Sequence, residues 1–175
     1  MALHNKLFLI NLNLKGPNAP SWDFISDEDW QNVLGNFLFK IADSFAFADV
    51  SKKADLFPSG LSYFSDWALE IIDLVEAEDD VVCRFKLNEN CKSRLSEYEF
   101  ALHQFEDAKG INYHEFDQLS FFRGERLVAN YINHEGMIDF LNLNDDEVAI
   151  IESLEPHIKG AFVDSSVFTD AFKNR

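Results

Sequence analysis

Val81-Val82-Cys83-Arg84-Phe85-Lys86-Leu87 alternates, and the reading of this run decides the class of fold. Successive strand side chains point to opposite faces, so Val81, Cys83, Phe85 and Leu87 share one face, and Val82, Arg84 and Lys86 the other. One apolar face and one wet face predict a strand over 81–87 in an antiparallel or mixed sheet, rather than a fully covered parallel one.

The same period appears on either side. Phe8, Ile10, Leu12 and Leu14 predict a strand near 7–14, ended by Gly16, Pro17 and Pro20. Arg123-Gly124-Glu125 reads as a turn. Residues 127–132 and 137–143, separated by Asn133-His134-Glu135-Gly136, read as a β-hairpin with a short loop.

Between these strands the period changes to that of helices. Ser26 followed by Asp27, Glu28 and Asp29 suits an N-cap with an acidic first turn. Trp30, Val33, Leu34, Phe37, Leu38 and Ile41 then form one stripe, widened by Phe39, Phe45 and Phe47, which predicts a helix near 27–47. Gly35 inside that stripe suggests a close crossing or a bend. Leu61, Phe64, Trp67, Ala68, Ile71, Ile72 and Val75 predict a helix near 61–75, ahead of a weaker strand reading for Trp67 to Leu74. Leu95, Tyr98, Ala101, Leu102 and Phe105 predict another near 94–106. Asn144 with Glu147 three positions on predicts a capped helix near 145–155, with Val148, Ile151, Leu154 and Ile158 inward and Pro156 at its end. Residues 107–125 give no clear period. The order of elements points to an α+β fold, one domain over 1–175, with 160–175 loosely attached. The core is expected to hold Trp30, Leu34, Phe37, Ile41, Trp67, Ile71, Phe85, Leu102, Ile151 and Leu154.

Composition bounds the function. With 18 Phe among 175 residues and 47% hydrophobic residues, the chain has ample apolar area for a core without metal or disulfide. Cys83 reads as buried and Cys91, in the polar run Asn88-Glu89-Asn90-Cys91-Lys92, as more exposed; no disulfide between them is expected. The apolar run Leu7-Phe8-Leu9-Ile10 is too short for a signal-peptide core, so a cytoplasmic location is expected. A net charge of -16 repels phosphate backbones and anionic lipid, which argues against direct nucleic-acid or membrane binding and favours basic surfaces.

Motifs of catalysis are missing. The glycines form neither a dinucleotide nor a Walker loop, no His-Glu-x-x-His is present, and Asn142 to Glu147 lacks the glycine and final glutamate of a calcium loop. Accordingly no catalytic, cofactor or metal residue is assigned, and no cofactor is expected. His103, Asp107 and His114 would make a three-ligand site only if the fold brought them together.

The charge itself is the strongest remaining signal. Asp66, Glu70, Asp73, Glu76, Glu78, Asp79 and Asp80 lie in one stretch that contains no basic residue. Such a cluster suits electrostatic steering toward a basic protein. The expectation is therefore an acidic protein-binding or inhibitor domain of the immunity type, acting on a basic partner such as a nuclease-type toxin. Its contacts are expected at Glu70, Asp73, Glu76, Glu78, Asp79 and Asp80, with His134 at the hairpin tip. Two other readings are a small enzyme built around His103, Asp107 and His114, and an adaptor or subunit using the broad apolar surface from Trp30 to Phe47.

Overall fold

The computed structural model describes residues 5–11, 24–49, 68–76, 81–96, 104–106, 113–115, 118–132 and 137–164. Among the described residues, eleven strands are β1 (Asn5–Asn11), β2 (Phe24–Ile25), β3 (Ser44–Asp49), β4 (Ile71–Glu76), β5 (Val81–Lys86), β6 (Gln104–Glu106), β7 (Tyr113–Glu115), β8 (Gln118–Arg123), β9 (Arg126–Ile132), β10 (Met137–Leu143) and β11 (Val163–Asp164). Nine of them form one sheet in the order β11-β1-β10-β9-β8-β3-β5-β4, with the short β2 also beside β1. Every neighbouring pair along that order is antiparallel, and only β1 and β2 run parallel. The helices are α1 (Asp27–Val33), α2 (Phe39–Ile41), α3 (Glu89–Leu95) and α4 (Asp145–Leu154). This is an α+β domain with an antiparallel sheet packed by a few helices.

One apolar rung crosses the sheet. Ile71, Phe85, Phe45, Phe121, Ala129, Phe140 and Leu7 are successive register partners from β4 to β1. Phe85, Phe45, Phe121 and Phe140 are fully buried, and the Phe45 and Phe85 rings lie 5.5 Å apart. Burying such rings supplies much of the drive to fold, about 1.5–3 kcal/mol for each side chain removed from water.

The first helix lies along this layer through the stripe its sequence announces. Ser26 caps it, its side chain accepting from the Asp29 N–H at 3.1 Å. Trp30, Val33, Leu34, Phe37 and Leu38 are all buried. Trp30 stacks with Tyr131 at 6.2 Å and Phe37 meets Phe140 edge-on at 6.4 Å, which seats the helix over β9 and β10. Between α1 and α2 the chain makes a π-helical turn over Leu34–Leu38. Gly35 lies exposed in that turn, with nothing within 4 Å of where a Cβ would sit, so it marks no close crossing.

Three helix boundaries differ from the sequence expectation, each because a helical spacing also fits a strand. The helix expected to 47 ends at Ile41: Ala42 turns extended at ψ 143°, and Ser44–Asp49 becomes the strand between β5 and β8. In Phe45-Ala46-Phe47-Ala48 the aromatic residues recur at two positions, and sheet pairing on both sides settles the conflict. Residues 71–75, expected at the end of a helix, form β4. Ile71, Ile72 and Val75 are β-branched and favour a pleated surface. The helix expected near 94–106 instead spans Glu89–Leu95, and Gln104–Glu106 pairs with Tyr113–Glu115. Asn88 starts that helix, its side chain accepting from the Cys91 N–H at 2.9 Å. The same helix turns Cys91 wholly inward, contrary to its expected exposure among polar neighbours.

The hairpin and the last helix follow the expected pattern closely. β9 and β10 pair as read, and Gly124 takes a left-handed φ of 56° in the turn between β8 and β9. Asn144 and Glu147 form a capping box at the start of α4, and Pro156 follows its end in a short 3-10 turn, Pro156–Ile158. Of the expected core, Trp30, Leu34, Phe37, Phe85 and Ile151 are buried, while Ile41 and Leu154 are partly so. Ile71 is not a core residue, because β4 ends the sheet and leaves it half exposed. Trp67 and Leu102 lie outside the described residues.

Candidate functional site

Two places on the molecule carry chemistry beyond packing. The first is the free edge of the sheet. Among the described residues β4 is the last strand of the sheet, with no neighbour beyond it. Ile71 and Ile72 there are 50% and 51% exposed. A register irregularity between Ile71 and Asp73 lets both isoleucines face solvent. Glu70 and Asp73 flank them, both exposed; Glu70 pairs with Lys86 of β5 at 3.1 Å.

The expected partner residues fall unevenly on this frame. Glu70 and Asp73 lie at the edge, and Glu76 ends β4. Glu78, Asp79, Asp80 and His134 lie outside the described residues. So do His103 and Asp107, while His114 sits in β7 opposite Phe105 of β6. The exposure of Ile71 and Ile72 runs against the helical reading of 61–75, which turned both inward.

The second place is a junction of two helix ends. Asp29 in the first turn of α1, Glu155 at the end of α4 and His157 in the following 3-10 turn each offer a ligand atom, all within 4.8 Å of one another. Pro156 stops the helix and folds the chain so that positions 155 and 157 lie together. The His157 Nδ1 is 3.8 Å from Glu155 Oε2. The Asn32 amide, one helical turn from Asp29, donates to Glu155 Oε1 at 2.9 Å, and the Asn36 amide donates to Asn32 Oδ1 at 2.8 Å. That chain of amides fixes the direction of the Glu155 carboxylate.

Glu155 is only 3% exposed. Burial raises its pKa above the usual carboxylate value; the Asn32 bond opposes this, and the Asp29 charge adds to it. Glu147 shows how the same fold treats another buried carboxylate: its Oε1 takes Arg123 at 2.7 Å and Arg126 at 2.9 Å. No arginine or lysine plays that part for Glu155 among the described residues. Sequence reading missed this site because Asn32 and Glu155, which mark its two sides, are 123 positions apart. The Glu155-Pro156-His157 run was its only local trace.

Among the described residues, no helix is long and apolar enough to cross a membrane. The described residues form an acidic α+β domain with a half-exposed isoleucine pair on its last strand and a His/carboxylate cluster. No protein-family model, curated protein or solved structure matches the chain.

Proposed function

We propose that this chain is an acidic protein-binding domain of the inhibitor or immunity type, which holds a basic protein, such as a nuclease-type toxin, against the β4 edge. The observation that carries the reading is the half-exposed pair Ile71 and Ile72 on a strand that ends the sheet. An apolar centre bordered by charge is the anatomy of a protein interface. An open strand edge also accepts an extended segment of a partner by main-chain pairing. The acidic run from Asp66 to Asp80 supplies the field that draws in a basic partner and speeds association. Cytoplasmic residence belongs to the same reading, since two cysteines in 175 residues are no disulfide framework.

The test is capture from source lysate by wild type and by the edge variants I71K and D73K. The expected result is a basic protein held by wild type, released as salt screens the field, and lost with both variants. Equal capture by all three proteins contradicts the edge as the binding site.

A second reading, a small enzyme with a His/carboxylate site, is favoured by the convergence of Asp29, Glu155 and His157. It uses none of the residues that the sequence offered for such a site. Hydrolysis of simple ester or phosphodiester substrates that H157A abolishes would support it, and activity unaffected by H157A would remove it.

A further inference from the structure

Among the described residues, no arginine or lysine pairs with Asp29 or Glu155, the two carboxylates of the cluster they form with His157. Two carboxylates and one imidazole offer ligand atoms that all lie within 4.8 Å of one another. A buried carboxylate needs a paired charge or a metal ion. Glu147 has two arginines; Glu155 has an amide, a half-exposed histidine and a second acid.

We propose that Asp29, Glu155 and His157 bind one divalent transition-metal ion, with Zn2+ or Mn2+ as the fitting class. Two oxygen donors and one imidazole nitrogen suit borderline first-row ions better than calcium, which prefers oxygen throughout. Metal–ligand bonds of about 2.0–2.2 Å hold neighbouring ligand atoms about 3–4 Å apart. The 3.8 Å between His157 Nδ1 and Glu155 Oε2 already falls in that range. A dipositive ion cancels the two carboxylate charges. The exposed His157 and half-buried Asp29 leave a path in from solvent, while buried Glu155 is held in place from behind by Asn32 and Asn36. That backing has the form of the outer hydrogen bonds that orient metal ligands in known sites. Three protein ligands leave a tetrahedral ion one position for water.

The experiment is calorimetric titration of chelator-treated protein with ZnCl2 and, separately, MnCl2, alongside thermal melting. The expected result is one ion bound per chain, a higher melting temperature, and loss of both effects in H157A and E155Q. N32A should weaken binding about 10–100-fold without removing a ligand. His157 is exposed and Gln keeps the shape of Glu155, so both ligand variants are expected to fold, which their metal-free melting curves check. No binding of either ion overturns the proposal, and so does binding that H157A and E155Q leave unchanged. The titration needs no partner protein, so its outcome is independent of the β4 edge.

Discussion

Phe85 and Ile71 are register partners across β5 and β4, yet Phe85 is fully buried and Ile71 is 50% exposed. The aromatic rung that begins in the middle of the sheet therefore runs out to an edge where its last apolar member meets water. Phe85 belongs to the core and Ile71 to the surface, although both show an apolar side chain at the same level of the sheet.

That division predicts opposite costs on mutation. Phe85→Ala should lose about 3–5 kcal/mol of stability in urea melts, since it opens a cavity between Phe45 and its neighbours. Ile71→Lys should stay within about 0.5 kcal/mol of wild type, as an exposed edge substitution. A large loss from Ile71→Lys would mean that the edge is covered.

Glu147 ties three parts of the fold together. Its Oε1 receives Arg123 and Arg126 from the two sides of the β8–β9 turn, and its Oε2 receives the Asn144 N–H at 2.9 Å. Glu147→Ala removes the pairing and half of the capping box at once. A loss of about 2–3 kcal/mol is expected from chemical denaturation, because the partners of a buried charge are left behind. A change below about 0.5 kcal/mol would show that the arginines bind elsewhere at no cost.

These elements also show how far the sequence could be read. The α4 cap was legible because Asn144 and Glu147 are three residues apart and speak only of local geometry. The first helix stripe and the 81–87 strand were legible for the same reason: each has a single period over its length. Ser44–Asp49 and Ile71–Glu76 were not, because their apolar residues fit two periods and only the neighbouring strands decide between them. The acidic character of the edge was visible in sequence, but its exposed isoleucines depend on β4 being last in the sheet. The His/carboxylate cluster depends on a contact between distant helix ends and had no periodic signature.

Cys91 offers a simple check on α3. Its side chain is buried, and burial pushes its thiol pKa above the ordinary value. The native protein should therefore leave this thiol unmodified by a soluble disulfide reagent, and denaturant should expose it. Mass mapping separates its signal from that of Cys83. Rapid labelling of Cys91 in the native protein would contradict the helix phase.

Glu155 gives a pH dependence whose sign follows from its raised pKa. In metal-free protein the folded state holds the Glu155 proton to higher pH than the unfolded chain does. Its contribution therefore falls as pH rises from the ordinary carboxylate value of 4.5 through the raised folded value. Glu155→Gln removes that fall, so the variant should gain on wild type as pH increases through this window. Parallel stability curves for the two proteins would mean that the carboxylate is not strained by its surroundings.

The most direct test of the β4 edge is to place a photo-crosslinking phenylalanine at Ile72 and irradiate in source lysate. The control carries the same group at Ile150, which is 44% exposed on α4. One adduct, with a basic protein, is expected at position 72 and none at 150. No adduct at 72, or the same adducts at both positions, would contradict the β4 edge as the binding site.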